Sequence, residues 1–257
     1  MKAYTKSLLP LFFSEMAGTA LLLAFGLSAV IFCWGTGSPV ARWIPGEPLR
    51  RAVTGFLFGC VGCLVTISPV GKISGAHINP AVTLAFWANR KMKTHAMFGY
   101  MASQMVGAVL GCLPLLLWGS QGKSVKYGIT FPANGQVAGA FFGEVITTAC
   151  LIGVIFWFVR SKSLRDYTPF TMPLLYGLMV WAEGSLSGCS TNPARSFGPA
   201  LVSFDFRYYW LYLTAPLLAA IGLVALYRAL HLHHQAEMES ARVSYHGSKT
   251  HESIRPS

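Results

Sequence analysis

Long apolar runs alternate along this chain with short polar connections, and six of them stand out, near 8–34, 52–67, 96–118, 137–159, 170–182 and 208–230. A helix rising 1.5 Å per residue needs about 20 apolar residues to cross a ~30 Å hydrocarbon core. Four of the six runs meet that length. The second and fifth fall short, but each leads into a Gly/Ser-rich stretch and then a further brief apolar run, 82–87 in one case and 197–202 in the other. Those brief runs cannot cross a bilayer, so the pattern predicts two half-helices entered from loops. The expected fold is an all-α membrane protein of six transmembrane helices plus two half-helices. It forms a single integral domain over 1–230, followed by a polar tail, 231–257, expected to lack fixed structure.

Composition agrees: 53% of residues are apolar and only 11% charged, against about 25% charged in an ordinary soluble domain. Charge placement then orients the chain. Lys2 and Lys6, then Arg90, Lys91 and Lys93, then Arg160, Lys162 and Arg165, and finally Arg228, Arg242, Lys249 and Arg255 all fall on one side of a six-span topology. The positive-inside tendency names that side cytoplasmic, with both termini there. The opposite side carries chiefly Arg42, Arg50, Arg51, Lys123, Lys126 and Arg207. The net charge of +11 therefore reports topology, and no nucleic-acid partner is read from it. The first run is longer than a signal-peptide core and carries Glu15, so it is kept as a span. The six cysteines show no pairing or metal-ligand spacing. His231, His233 and His234 read as part of a solvated tail, with no metal and no cofactor expected.

Asn-Pro-Ala occurs twice, as Asn79-Pro80-Ala81 and Asn192-Pro193-Ala194, each after a small-residue run and each opening one of the brief apolar runs. Glu15 in the first span has its counterpart in Glu144 of the fourth. The chain thus reads as two repeats, about 8–118 and 137–230. Three spans per repeat is an odd number, so the halves lie inverted across the membrane, with a functional site expected where the broken helices meet. Two roles fit the buried carboxylates: a proton relay, or an acceptor for the backbone of the non-helical loops. Their paired placement favours the second. His77 likewise reads as a proton carrier or, preferably, as a brace for the loop before Asn79. Gly18, Gly107, Gly111 and Gly222 read as sites of close helix packing.

Asn is a favoured helix cap and proline fits the first turn. Two half-helices meeting N-terminus to N-terminus would place two partial positive charges on one lumen, opposing cations. The Asn79 and Asn192 amides could donate to a passing neutral molecule, while loop carbonyls accept.

The segments 77–83 and 192–200 resemble the two signature boxes of the aquaporin, or major intrinsic protein, family, and the resemblance covers nearly the whole chain except the tail. It implies an hourglass pore in each monomer, homotetramers in the lipid bilayer, Asn79 and Asn192 at the centre, and Arg195 in the outer selectivity filter. Cys189 takes the filter's small-residue place. Val180 stands where the water-selective pattern has His. Counting back from Asn79 gives Gly59, with Phe58 adjacent, and a one-residue insertion near 66–70 leaves either to face the lumen. A ring of Gly59, Val180, Cys189 and Arg195 would be wide and weakly polar; Phe58 would narrow it. Ser196 and Ala200 depart from the glycerol-conducting pattern, and Tyr212-Leu213 fits neither branch.

The expected function is a passive channel for water that also admits small neutral solutes such as glycerol. A glycerol or small-solute facilitator is the alternative. A coupled secondary transporter ranks lower, because little near the boxes is titratable beyond His77. No nucleophile–base pair or metal spacing supports an enzyme.

Overall fold

The structure, a computed structural model, describes residues 8–252, and from 231 onward the backbone alone. Six long helices are Leu9–Trp34, Glu47–Ile67, Thr94–Cys112, Val137–Arg160, Thr168–Glu183 and Tyr209–Glu252. Two half-helices, Pro80–Ala88 and Pro193–Val202, follow the second and fifth of these. At 1.5 Å per residue, their 9 and 10 residues reach about 14 and 15 Å, so the two end to end match a ~30 Å hydrocarbon core.

The helix ends depart from the apolar runs where polar chemistry or proline intervenes. The second helix begins at Glu47 rather than 52, because its first turn is polar: Glu47 pairs with Arg51 one turn on at 2.7 Å and Pro48 occupies the first turn. Third-span α-helix stops at Cys112, where Pro114 offers no N–H, and the chain tightens into a 3-10 turn, Leu113–Trp118. The fifth helix has 16 residues, about 24 Å, and five of the six long helices have the length and hydropathy of a membrane span. The last helix runs past the final apolar run. Its backbone continues to Glu252, since neither glycine nor proline interrupts 231–246 and extending an existing helix avoids the cost of a new nucleus.

Small residues let backbones approach closely. A Cβ at Gly107 or Gly111 would overlap the backbone of Met16 or Ala20, joining the first and third helices. One at Gly55 or Gly59 would overlap the backbone of Tyr176 or Met172, joining the second and fifth. Gly222 does not share this role, for it faces open space. The exterior is apolar, with Phe13, Phe25, Phe142, Leu174, Leu178 and Leu218 exposed, as helices solvated by lipid require.

Candidate functional site

Both Asn-Pro-Ala segments fold into the same local structure. Asn79 and Asn192 are extended (φ −155° and −147°) and cap the half-helices, their Oδ1 atoms accepting Ala81 N–H at 2.8 Å and Ala194 N–H at 3.0 Å. The loops ahead of them match position for position. Gly75, Ala76 and Ile78 have φ of +88°, +48° and +42°, while Gly188, Cys189 and Thr191 have +85°, +52° and +54°. Such conformations are foreign to β-branched Ile78 and Thr191, at about 1–3 kcal/mol each.

Buried carboxylates hold them there. Glu15 accepts His77 N–H at 2.9 Å, Ile78 N–H at 2.7 Å and Gln104 Nε2 at 2.7 Å. Glu144 accepts Ser190 N–H at 2.6 Å, Thr191 N–H at 2.7 Å and Ser187 Oγ at 2.6 Å. Both are fully buried, and three donors apiece offset the large cost of removing a carboxylate from water. The contacts correspond to the acceptor role.

Each Asn also reaches into the other repeat. Asn79 Nδ2 donates to Thr191 O at 2.9 Å and Asn192 Nδ2 to Ile78 O at 3.0 Å. Two half-helix N-termini, with their partial positive charges, are thereby clasped together. Every amide nitrogen has two hydrogens, so each keeps one beyond this clasp.

A cavity of about 370 Å³ lies on one side, bordered by Asn79, Asn192, His77, Ile78 and Arg165. A second, of about 280 Å³, lies on the other, bordered by Arg195, Val180, Cys189, Gly128, Thr130 and Arg51. Phe58 borders both, and so does Tyr176. Arg195 is buried; its Nη1 donates to Gly128 O at 2.6 Å, and its guanidinium carbon stands 5.9 Å from the Phe58 ring centre. Gly59 is absent from both linings and instead lies against the backbone of Met172 and Pro173. One residue along a helix turns the side chain by about 100°, so Gly59 and Phe58 face different neighbours. His77 borders the first cavity, stacked 4.6 Å from Phe86, and its ring Nδ1 lies 3.2 Å from Thr83 Oγ1. It braces the half-helix side chain rather than the loop backbone, which Glu15 holds.

A sequence model of the family described as "Major intrinsic protein" matches residues 2–227. The chain belongs to the major intrinsic protein family. It is 32% identical over 228 residues to "Aquaporin TIP2-3" of Arabidopsis thaliana, covering 86% of this chain and 88% of that one. With "Probable aquaporin TIP2-2" of the same plant it shares 34% identity over 165 residues, covering 62% of this chain and 65%, just under two thirds, of the relative's length. In fold it is similar to the aquaglyceroporin of Plasmodium falciparum, with a TM-score of 0.70 at 22% identity, over 86% of this chain and 96% of that chain.

Several contributors to this major intrinsic protein's site escaped sequence reasoning. Gln104 joins Glu15 to Thr83 Oγ1, at 2.9 Å from the latter; a lone amide in the apolar third span was its only signal. Thr130 Oγ1, Ser196 Oγ and Ser190 Oγ form a chain with 2.7 and 2.6 Å links, fastening the 126–131 loop to the second half-helix. Tyr212 donates to Ser187 O at 2.8 Å. Outside the spans, Asp205 accepts from Arg207 at 2.8 and 2.9 Å and from Lys126 at 3.0 Å. Those cations, Arg207 first, hold its carboxyl well below the usual carboxylate range.

Proposed function

We propose that this chain is a passive membrane channel for water that passes small neutral solutes such as glycerol more slowly. The observation that carries the reading is the clasp of Asn79 and Asn192, each donating across to the other repeat and both bordering the first cavity, with the second beyond Phe58 and Tyr176. An amide hydrogen left over on each Asn can donate to the oxygen of a molecule at the junction. A water held there by both would direct its own hydrogens outward, interrupting a proton-conducting chain. The paired helix ends oppose cations, and Arg195 adds a full charge with fixed donors.

Asn79, Pro80, Ala81, Asn192, Pro193 and Ala194 form the central pore on this reading, with Phe58, Val180, Cys189 and Arg195 in the outer filter. Glu15, Glu144 and His77 support the loops. The Lys/Arg bias places both termini in the cytoplasm, and the family supports homotetramers within the bilayer. A coupled transporter is disfavoured because His77 is occupied by Thr83 and Phe86, and both glutamates are saturated by donors.

Stopped-flow light scattering on reconstituted vesicles tests this, with water and glycerol measured side by side. Water flux well above protein-free vesicles, linear in the gradient and unaffected by a proton gradient, is expected. Saturating or proton-driven flux would replace the channel with a transporter.

A further inference from the structure

Resting on the channel reading, we infer that Tyr176, one helical turn before Val180, is the fifth-helix residue that decides which solutes pass. The two cavities are separate volumes, and among the described residues only Phe58 and Tyr176 border both. On this inference the two rings, with centres 5.7 Å apart and planes tilted by 46°, act as the septum where the volumes adjoin. Val180 borders only the outer cavity. An opening created by the missing His at Val180 therefore leads, four residues or about 6 Å deeper, onto an aromatic constriction.

Neither ring is free to withdraw. Phe58 lies against Gly26, where a Cβ would stand 2.7 Å from the ring, and the backbone of Tyr176 is packed on Gly55. The Tyr176 hydroxyl is 3.0 Å from Thr191 Oγ1. Thr191 is itself fixed at both ends of its peptide, donating its N–H to Glu144 at 2.7 Å and accepting Asn79 at its carbonyl at 2.9 Å. Tyr176 is thus tied to the strained loop that carries Asn192, and its bulk is a fixed part of the passage.

The chemistry of the septum disfavours polyols. It presents two aromatic surfaces and one phenolic oxygen already engaged by Thr191. A water can keep hydrogen bonds fore and aft while it crosses. A molecule with a carbon backbone and several hydroxyls would have to strip more of them than the septum can satisfy, and pore diameter and lining polarity set selectivity in this way.

The test is the ratio of glycerol to water permeability in reconstituted vesicles. Tyr176→Val should raise that ratio at least tenfold, a gain of pore width. Val180→His should lower both fluxes together, because the imidazole intrudes on the outer cavity alone, and should leave the ratio within about twofold. A Tyr176→Val channel that conducts water with the wild-type ratio overturns the inference. So does a tenfold fall in the ratio for Val180→His, a result readable even if the Tyr176 variant does not fold. Wild-type vesicles without water flux above protein-free controls would instead overturn the channel reading itself.

Discussion

Replacing Glu144 by Gln keeps the shape of a buried side chain and changes only its acceptors. In the wild type, one carboxylate oxygen accepts both Ser187 Oγ and Ser190 N–H at 2.6 Å, and the other accepts Thr191 N–H at 2.7 Å. The least unfavourable amide orientation keeps the doubly bonded oxygen and turns an NH2 group toward the Thr191 N–H, donor against donor. A buried N–H left without an acceptor costs about 1–3 kcal/mol. The two surviving bonds lose the charge that roughly doubled their strength. Relief from burying a charge works the other way, but three donors had already offset most of it. The balance is a loss of about 2–4 kcal/mol, or about 5–15 °C in thermal midpoint for a chain of this size. The strained φ of +52° at Cys189 and +54° at Thr191 loses what holds it, so Thr191 O no longer stays in place for Asn79. Thermal unfolding in detergent and water permeability per protein should fall together, with Glu144→Asp less affected because it keeps the charge. A Glu144→Gln variant whose midpoint stays within about 2 °C of wild type, with full permeability, would refute the acceptor role.

Arg195→Val should raise proton or cation leak and widen the neutral solute range, measured by pH-dye and light-scattering assays; unaltered leak would remove Arg195 from the constriction. Cys189 borders the outer cavity whereas Cys33, Cys63 and Cys112 are buried away from both cavities and Cys150 is exposed on the apolar exterior. Mercurials should therefore block water flux reversibly in the wild type and not in Cys189→Ser, and equal block of both would place the reactive thiol elsewhere. Asp205 has its folded pKa depressed by Arg207 and Lys126, so its stabilisation is fully present above the ordinary carboxylate range, near pH 4, and is lost as pH falls toward the lower folded value. The wild-type midpoint should accordingly drop more between about pH 5 and 3 than that of Asp205→Asn, and parallel curves would contradict this. Glu183 is buried with neither carboxyl oxygen meeting a donor in hydrogen-bonding geometry among the described residues; Glu183→Gln should leave the midpoint unchanged or raised, and a fall of more than about 5 °C would reveal a partner.

The sequence by itself determined whatever depends on local pattern. Apolar runs marked the crossings because a span must be apolar over a fixed length, and the duplicated Asn-Pro-Ala with Glu15 and Glu144 marked the inverted repeat. Capping by Asn79 and Asn192 followed from their chemistry and the proline after each. Helix ends were less legible, since the polar turn at Glu47 and the break before Pro114 lie outside what hydropathy registers. Only the tertiary structure decided which atoms meet. Phe58 and Gly59 differ by about 100° around one helix; Phe58 borders both cavities while Gly59 packs on the backbone of Met172 and Pro173. Gln104 and Tyr176 joined the site through contacts with Glu15 and Thr191, 89 and 15 positions away. The clasp of Asn79 on Thr191 and Asn192 on Ile78 links residues 112 and 114 positions apart. No periodicity in the chain encodes such pairs; they exist because two inverted halves bury the same strained loops against each other.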